Sequence, residues 1–375
     1  MTGSPIGLVI NPVAGLGGRV GLKGSDGDDV QRRALALGAV PEALRRATLT
    51  LRQLDGAELL TVAGPMGEDA VRAAGLPARV VHRPPAGAAT GAADTRAAVR
   101  ALVAAGAGLL LFCGGDGTAR DVLDALGPSP GVPVLGIPAG VKMHSAVFAL
   151  HPRAAAEVAT AWARGAVRLD SAEVVDRDET ALRAGLLSAR LYGRLTVPVL
   201  PARVQQRKTG SGGPGPSTVA GIAAGLAARV DGDGLLLLGP GSTTHAVATA
   251  LGATGTSLTG VDLLRLRPGR PPLVQLRDAR ADQLGDLPST PWIVLSPIGG
   301  QGFLLGRGNQ QLTPALLRAV GRDRLLVLAT EAKLAALAGR PLLLDTGDPE
   351  LDDALSGHVR VITGHRSSAV YRLTS

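Results

Sequence analysis

The sequence predicts an α/β protein of two domains, and three observations lead to this prediction. The chain has 375 residues, which is enough for two domains that each bury a core. Short apolar segments alternate with segments of helical period in both halves, as in parallel sheets covered by helices. Several apolar segments run into glycine-rich turns that open a helix. We place an N-terminal nucleotide-binding domain at residues 1–155 and a C-terminal α/β substrate-binding domain at 156–375, with the site in a cleft between them.

Composition narrows the class of protein. No apolar segment approaches the roughly 20 residues that span a bilayer. The short apolar segment Ile6–Ile10 has no basic region before it, which favours a first strand over a signal peptide. The single cysteine, Cys113, excludes an internal disulfide and a cysteine-built zinc site. We therefore expect a cytoplasmic protein with no membrane partner.

The charge of the chain favours anionic partners. The formal net charge is +8, but the basic residues are scattered among Ala, Gly and Leu, and only 2% of residues are aromatic. Binding of nucleic acid would instead favour clustered basic residues with aromatic side chains for stacking. We therefore expect small phosphate-rich molecules as partners, and no nucleic acid.

The first strand leads into a glycine-rich loop, where open α/β sheets bind nucleotides. The loop is not the dinucleotide fingerprint, because Val20 occupies the third glycine position. It is not a Walker loop either, because Leu22 rather than glycine precedes Lys23. On these residues alone, a flexible surface loop is an equal alternative.

The segment that organises the first domain is the apolar run Leu109–Cys113 followed by Gly114-Gly-Asp-Gly-Thr118 and a helical period up to Gly127. It predicts a buried strand, a tight turn and a helix, with Asp116 at the carboxyl end of a central strand. The turn glycines let the backbone approach a ligand, and the amides that open the helix form an anion site. A carboxylate in such a cradle suits phosphoryl transfer, which needs Mg²⁺ and a base for a hydroxyl proton. The alternative is an ordinary strand-to-helix turn with an exposed Asp116.

A second turn of this kind follows the predicted strand Val132–Ile137. Gly140 lies at the bend, and Lys142, His144 and Ser145 lie in the first turn of a predicted helix. A cation and a hydroxyl at a helix start favour a bound anion, because the helix dipole is positive there. A solvated helix start is the alternative.

The second half repeats the pattern. A strand at 235–238 runs into a turn where Gly241, Ser242 and Thr243 open a helix, which predicts an anion or hydroxyl site or simple helix capping. A later buried strand, beginning at Trp292, runs into a second glycine-rich turn. Its polar residues suit an adenine or nicotinamide edge and a pyrophosphate, and a generic glycine turn with a polar rim is the alternative. The residues of this turn that we select are Gly300, Gln301, Arg307 and Asn309.

Two other segments carry weaker signals. Asp176, Asp178 and Glu179 would help to hold a metal or a ribose, but a solvated charged edge is the more common meaning. Lys208 lies in a segment rich in Gly and Pro that would close over phosphates as a lid or be disordered.

The motifs together resemble a known family. Gly114-Gly-Asp-Gly-Thr118 is similar to the signature shared by NAD kinases, diacylglycerol kinases and sphingosine kinases. With Asn11-Pro-Val-Ala-Gly-Leu-Gly-Gly-Arg19, Ile137–Phe148 and Pro297–Gln311, the chain most resembles the ATP-NAD kinase-like family, which includes the X proteins associated with acetoin catabolism. The resemblance implies a Rossmann-like first domain. It also implies that the nucleotide or its phosphates are bound by Asn11, Gly15, Gly17, Gly18, Lys23 or Arg19, Gly114, Gly115, Gly117, Thr118, Lys142, His144, Ser145, Gly241, Ser242, Thr243, Gly300, Gln301, Arg307 and Asn309.

The function implied by the resemblance is a kinase. It would transfer a phosphoryl group from ATP, or polyphosphate, to the adenosine-ribose 2′-hydroxyl of NAD or NADH. Asp116 would accept the hydroxyl proton or bind Mg²⁺, so ATP, NAD and a divalent metal are the expected ligands, and a dimeric or tetrameric homo-oligomer is the expected assembly. Two alternatives stay open: a kinase of a lipid or other small hydroxyl-bearing metabolite, and a non-catalytic nucleotide-binding regulator. Lipid kinases read Pro-x-Gly-Thr-x-Asn-Asp where this chain reads Pro138-Ala-Gly-Val-Lys-Met-His144, and this difference ranks the lipid kinase second. Ordinary NAD kinases have a mostly β second half, whereas the second half of this chain alternates strands and helices.

Overall fold

The chain folds into two compact units, each with its own sheet. The structure is a computed structural model that describes residues 4–22, 28–54, 56–85, 90–127, 131–141, 143–177, 189–200, 216–230 and 232–375. The first unit contains Met1–Leu16, Gly24–Ala36 and Val40–Arg207, and the second contains Gly17–Lys23, Leu37–Ala39 and Lys208–Ser375. The predicted α/β fold class is confirmed. The predicted boundary between residues 155 and 156 and the predicted cleft stay predictions. Within the described ranges, every helix is too short or too polar to cross a membrane.

The sheet of the first unit has five parallel strands in the order β3-β2-β1-β4-β5. The strands are β1 (Ile6–Ile10), β2 (Leu59–Val62), β3 (Arg79–His82), β4 (Leu109–Gly114) and β5 (Val134–Pro138). The strand order reverses between β1 and β4. At such a reversal the connections leave the sheet in opposite directions, which opens a crevice at the carboxyl edge where α/β proteins bind ligands.

Helices surround this sheet. They are α1 (Asp28–Ala36), α2 (Ala43–Leu51), α3 (Glu68–Ala74), α4 (Ala92–Ala104), α5 (Asp116–Leu126) and α6 (Pro152–Ala163). All residues of β4 are buried, as expected for a strand covered on both faces. Successive side chains of β4 point to opposite faces. Phe112 packs edge-to-face on Phe148, with ring centroids 5.3 Å apart, while the Cys113 thiol donates a hydrogen bond to the carbonyl of Ala43 in α2.

The remaining part of the first unit corrects one prediction. The expected helix start after Gly140 is wrong, because the described residues 143–149 form a turn and an isolated bridge instead of a helix. The segment pairs with Gly136 of β5 instead: the carbonyl of Val147 accepts from the N–H of Gly136, and the N–H of Ala149 donates to the carbonyl of Gly136. The antiparallel strands β6 (Arg168–Arg177) and β7 (Ala189–Val199) follow α6.

The second unit contains a mixed eight-stranded sheet in the order β10-β9-β8-β11-β12-β14-β15-β13. Its central strands β8, β11, β12 and β14 are parallel. The strands are β8 (Gly234–Leu238), β9 (Asp262–Arg267), β10 (Arg270–Leu276), β11 (Trp292–Leu295), β12 (Leu325–Leu328), β13 (Leu342–Leu343), β14 (Gly357–Ile362) and β15 (Ser368–Thr374). The helices are α7 (Pro216–Ala227), α8 (Ser242–Ala250), α9 (Pro314–Val320), α10 (Glu331–Ala335) and α11 (Pro349–Leu355). The predicted alternation of strands and helices in this half is therefore observed.

Candidate active site

Asp116 lies where the sequence places it, at the carboxyl end of β4 and the first position of α5. Its side chain is only 5% exposed. Its Oδ2 accepts a hydrogen bond from the backbone N–H of His144 at 2.7 Å, and its Oδ1 accepts one from the N–H of Ser145 at 3.0 Å. The alternative of an exposed aspartate in an ordinary turn is therefore wrong, because the carboxylate is buried and held at both oxygens.

These bonds also correct the prediction for residues 144 and 145. The sequence suggested that Lys142, His144 and Ser145 lie at a helix start and hold a ligand anion there. In the structure the amides of His144 and Ser145 bind the carboxylate of Asp116 instead. The Ser145 hydroxyl is also used internally, since it donates to the carbonyl of Val175 and accepts from its N–H. Ser145 is fully buried, so its role here is to fix the chain around Asp116.

The imidazole of His144 completes the contacts of this carboxylate. Its Nδ1 lies 3.2 Å from Oδ2 of Asp116, and the histidine side chain is 18% exposed. A carboxylate that already accepts two N–H groups is an acceptor for Nδ1–H as well. Asp116 and His144 therefore form a carboxylate–imidazole pair in which the carboxylate is buried and the imidazole reaches the surface of the unit.

The glycines of the central turns allow close packing between the ends of β4 and β5. A Cβ atom at Gly114 would lie 2.3 Å from Oγ1 of Thr118, and one at Gly140 would lie 3.0 Å from the Cα of Gly115. Gly117 lies in the first turn of α5. The backbones of these turns can approach each other this closely because glycine has no side chain. This packing accounts for Gly114 and Gly140 whether or not a phosphate binds there.

The loop after β1 joins the same edge. The amide of Asn11 donates to Oγ1 of Thr118 at 3.0 Å, and its side-chain oxygen accepts from the N–H of Val13. Gly15 has a left-handed φ of 82°, and a Cβ there would lie 2.5 Å from the carbonyl oxygen of Ala139. The ends of β1, β4 and β5 thus meet around Asp116 through Asn11, Thr118 and Gly15. Their predicted phosphate contacts stay predictions.

Other predicted residues of the first half lie elsewhere. Residues 17–22 pack within the second unit, where a Cβ at Gly18 would lie 3.3 Å from Gln310 and the carbonyl of Arg19 accepts from Ala281. Gly17 belongs to the same segment. Asp176 accepts a hydrogen bond from Arg120 of α5 at 3.0 Å, so it is engaged in an ion pair. Lys23, Lys142, Asp178, Glu179 and Lys208 lie outside the described residues.

In the second unit, a lysine that the sequence reasoning missed lies beside the predicted turn. Lys333 of α10 is 8% exposed, and its Nζ donates to Oγ1 of Thr243 at 3.1 Å and to Oγ of Ser296 at 2.9 Å. These residues follow the carboxyl ends of β8, β11 and β12. Gly241 precedes α8 with a φ of 134°, and no side chain caps this helix, so Ser242 and Thr243 do not act as the predicted caps. The missed signal was a lysine shortly after a buried strand.

The second glycine-rich turn of this unit is held together by its own polar side chains. Arg307 forms a buried ion pair with Asp345 and stacks on Phe303 with its guanidinium carbon 4.5 Å from the ring centroid. Asn309 accepts from the N–H of Gly306 and donates to the carbonyl of residue 304. Gly300 is left-handed with a φ of 77°, and Gln301 is buried. Arg307 and Asn309 thus stabilise the turn itself, and their predicted contacts with a nucleotide stay predictions.

No group of three or more His, Cys, Asp and Glu side chains among the described residues could hold a metal ion. Asp116 is buried and bonded to residues 144 and 145, and its predicted role toward Mg²⁺ stays a prediction. Cys113, in β4, precedes Asp116 by three positions. Burial raises the pKa of its thiol to about 12, although the nearby charge of Arg46 acts in the opposite direction. Cys113 is therefore a core residue and not a nucleophile.

Comparison with protein families decides which of these interpretations applies. A model of the ATP-NAD kinase N-terminal domain matches residues 6–167, and a model of the ATP-NAD kinase C-terminal domain matches residues 216–373. Together these matches cover most of the chain. The chain belongs to the ATP-NAD kinase family. Neither the curated proteins nor the solved structures that were searched include a match to it.

Family membership gives the site its chemical class. The ATP-NAD kinase N-terminal match begins at β1 and contains Asp116, His144 and the turns around them, and the C-terminal match spans the second sheet. This ATP-NAD kinase family member is therefore an NAD kinase-like phosphotransferase by family, and its two-domain α/β architecture agrees with that class. In the first sheet, the Asp116–His144 pair lies at the carboxyl end of β4, beside the reversal of strand order between β1 and β4.

Proposed function

We propose that this ATP-NAD kinase family member transfers the terminal phosphoryl group of ATP to the adenosine-ribose 2′-hydroxyl of NAD or NADH. The proposal rests on one observation: the part of the chain that matches the ATP-NAD kinase N-terminal domain has a buried carboxylate, paired with a partly exposed imidazole, at the carboxyl edge of its parallel sheet. Phosphoryl transfer to a hydroxyl needs a group that takes the hydroxyl proton and a positively polarised surface around the phosphates. The pair supplies the first requirement.

The surrounding chain supports the second requirement. The net charge of +8 favours anionic substrates. The N-terminus of α5 lies at the same edge, where its amides are positively polarised. Since the described residues do not form a metal cage, we assign no protein ligand to Mg²⁺; this ion commonly reaches kinase sites on the substrate phosphates with retained waters. Polyphosphate is the alternative donor.

The test is product analysis with purified protein. The protein is incubated with Mg-ATP or polyphosphate and with NAD or NADH, and the products are separated and identified by mass spectrometry and by digestion that locates the new phosphate. We expect NADP or NADPH phosphorylated at the adenosine ribose. Absence of product from either acceptor with both donors, or a phosphate at another position, contradicts the proposal. Tight dinucleotide binding without product would indicate a regulator in place of an enzyme.

A further inference from the structure

The contacts of Asp116 leave it poorly placed to take a proton from a substrate. Its side chain is 5% exposed, and it accepts hydrogen bonds from the N–H groups of His144 and Ser145 and from Nδ1 of His144. A general base must come within hydrogen-bond reach of the hydroxyl, directly or through one water. A buried carboxylate whose oxygens already face protein donors does not offer that access.

The imidazole of His144 has the access that the carboxylate lacks. Its side chain is 18% exposed, and among the described residues its Nε2 has no hydrogen-bond partner. The carboxylate fixes the proton on Nδ1, because an acceptor faces that atom. The neutral ring then carries its lone pair on Nε2, at the opposite edge. In carboxylate–histidine pairs of this kind the carboxylate orients the ring and stabilises the imidazolium that forms.

The alternatives at this edge are excluded by their own bonds. The Ser145 hydroxyl is fully buried between the N–H and carbonyl of Val175. Asn11 and Thr118 carry no basic group and bond to each other. Among the described side chains that contact Asp116, His144 is therefore the group that can exchange a proton with a substrate.

We infer that His144 is the proton acceptor of the reaction and that Asp116 is its positioning residue; this inference rests on the proposed kinase function. The proton of the acceptor hydroxyl moves to Nε2 of His144 as the hydroxyl oxygen bonds to the γ-phosphorus. The bond between that phosphorus and the β–γ bridging oxygen breaks, and its electron pair leaves with the nucleoside diphosphate. The ring becomes an imidazolium beside the Asp116 carboxylate and later returns the proton to solvent.

The first experiment compares His144→Ala with Asp116→Ala and uses imidazole as a chemical rescue. We expect His144→Ala to lower the rate of NADP formation about 10²- to 10⁴-fold, the usual contribution of a general base, with little change in NAD affinity. Added imidazole should raise the rate of NADP formation by His144→Ala at least about tenfold, and this increase should saturate with imidazole concentration. It should not restore Asp116→Ala, which keeps its own ring but loses the group that orients it. His358→Gln, at an exposed histidine of the second unit, is the control and should keep the wild-type rate.

Two outcomes of this experiment would overturn the assignment. One is a His144→Ala enzyme that retains a rate within about threefold of the wild type, because a general base contributes far more. The other is an impaired His144→Ala enzyme that imidazole does not restore, because a structural role for the ring is not replaced by a free base in solution. Equal rescue of both alanine variants would also contradict the separate roles of the two residues.

The second experiment does not depend on turnover, so the inference and the proposed function fail separately. Protein labelled with ¹⁵N-histidine is examined by long-range ¹H–¹⁵N NMR, and the His144 ring is identified by its loss in His144→Gln. We expect the proton on Nδ1 in the wild type and a mixture of tautomers in Asp116→Asn. A ring protonated at Nε2 alone in the wild type overturns the inference even if NADP is formed. If no NADP is formed, the proposed function fails while this measurement still decides the orientation of the ring.

Discussion

Replacing Asp116 by Asn tests how strongly the carboxylate holds the segment around residue 144. The two side chains have nearly the same shape, but the carboxamide has one acceptor oxygen and one NH₂ group. Two backbone donors, the N–H groups of His144 and Ser145, face the two oxygens at 2.7 and 3.0 Å. In Asp116→Asn one of these donors must face NH₂ and is left unsatisfied in a buried position.

The expected cost follows from these contacts. An unsatisfied buried donor costs about 1–3 kcal/mol, and the loss of charge weakens the remaining bond by about 1 kcal/mol. The sum of about 3 kcal/mol corresponds to a roughly 100-fold increase in the population of the locally opened segment. Amide hydrogen exchange, followed by mass spectrometry on peptides that contain residues 143–150, should therefore accelerate about 100-fold for the amides of His144 and Ser145.

A matched control comes from the same helix. Asp124 of α5 is exposed, so Asp124→Asn changes charge equally without touching these amides. It should leave their exchange rates unchanged. Wild-type exchange rates at His144 and Ser145 in Asp116→Asn would refute the reasoning, because the carboxylate would then not be what holds the segment.

Three further predictions concern stability and reactivity. Cys113, fully buried with its pKa raised to about 12, should react with iodoacetamide at pH 8 only after unfolding, since only about one thiol in ten thousand is ionised there. Gly114→Ala would place a Cβ 2.3 Å from Thr118 Oγ1 and should destabilise the first unit by about 1–3 kcal/mol in a calorimetric scan. Arg307→Met should destabilise the second unit by about 3–5 kcal/mol, because it leaves Asp345 charged and buried, whereas adding Asp345→Leu should recover most of that loss.

Each of these predictions has a defined contradiction. Rapid alkylation of native protein would show that Cys113 is not buried. Gly131→Ala, at a position where a Cβ meets nothing within 4 Å, is the control for Gly114→Ala, and equal effects of the two would contradict the packing argument. A double variant no more stable than Arg307→Met alone would show that the ion pair is not what the single change disrupts.

The sequence was a good guide where the signal is local. The run Leu109–Cys113 and the glycines after it predict β4, the turn and α5 correctly, because burial, turn geometry and helix period are all encoded within a few neighbouring residues. The same local signals predict β8 and α8 in the second half, where a buried strand also ends in a glycine turn. The family resemblance is confirmed by matches to both domain models.

Local signals failed where a distant residue decides the structure. Residues 142–145 look like a helix start in the sequence, but the amides of His144 and Ser145 bind Asp116, which lies 28 positions before His144, and the described residues 143–149 form no helix. The ion pair of Arg307 with Asp345 was not predicted, because Asp345 is 38 positions away and carried no recognisable role in the sequence. Lys333 was missed because its hydroxyl partners, Thr243 and Ser296, follow two other strands of the sheet. A one-dimensional pattern does not record such pairings.

The most direct test of the central claim is the rate of NADP formation by Asp116→Asn relative to the wild type and to Asp124→Asn, measured under saturating Mg-ATP and NAD. If Asp116 and the ring it orients perform the proton transfer, Asp116→Asn should be slower by about a hundredfold or more, while Asp124→Asn matches the wild type. An Asp116→Asn enzyme that forms NADP at the wild-type rate would show that the chemistry takes place elsewhere.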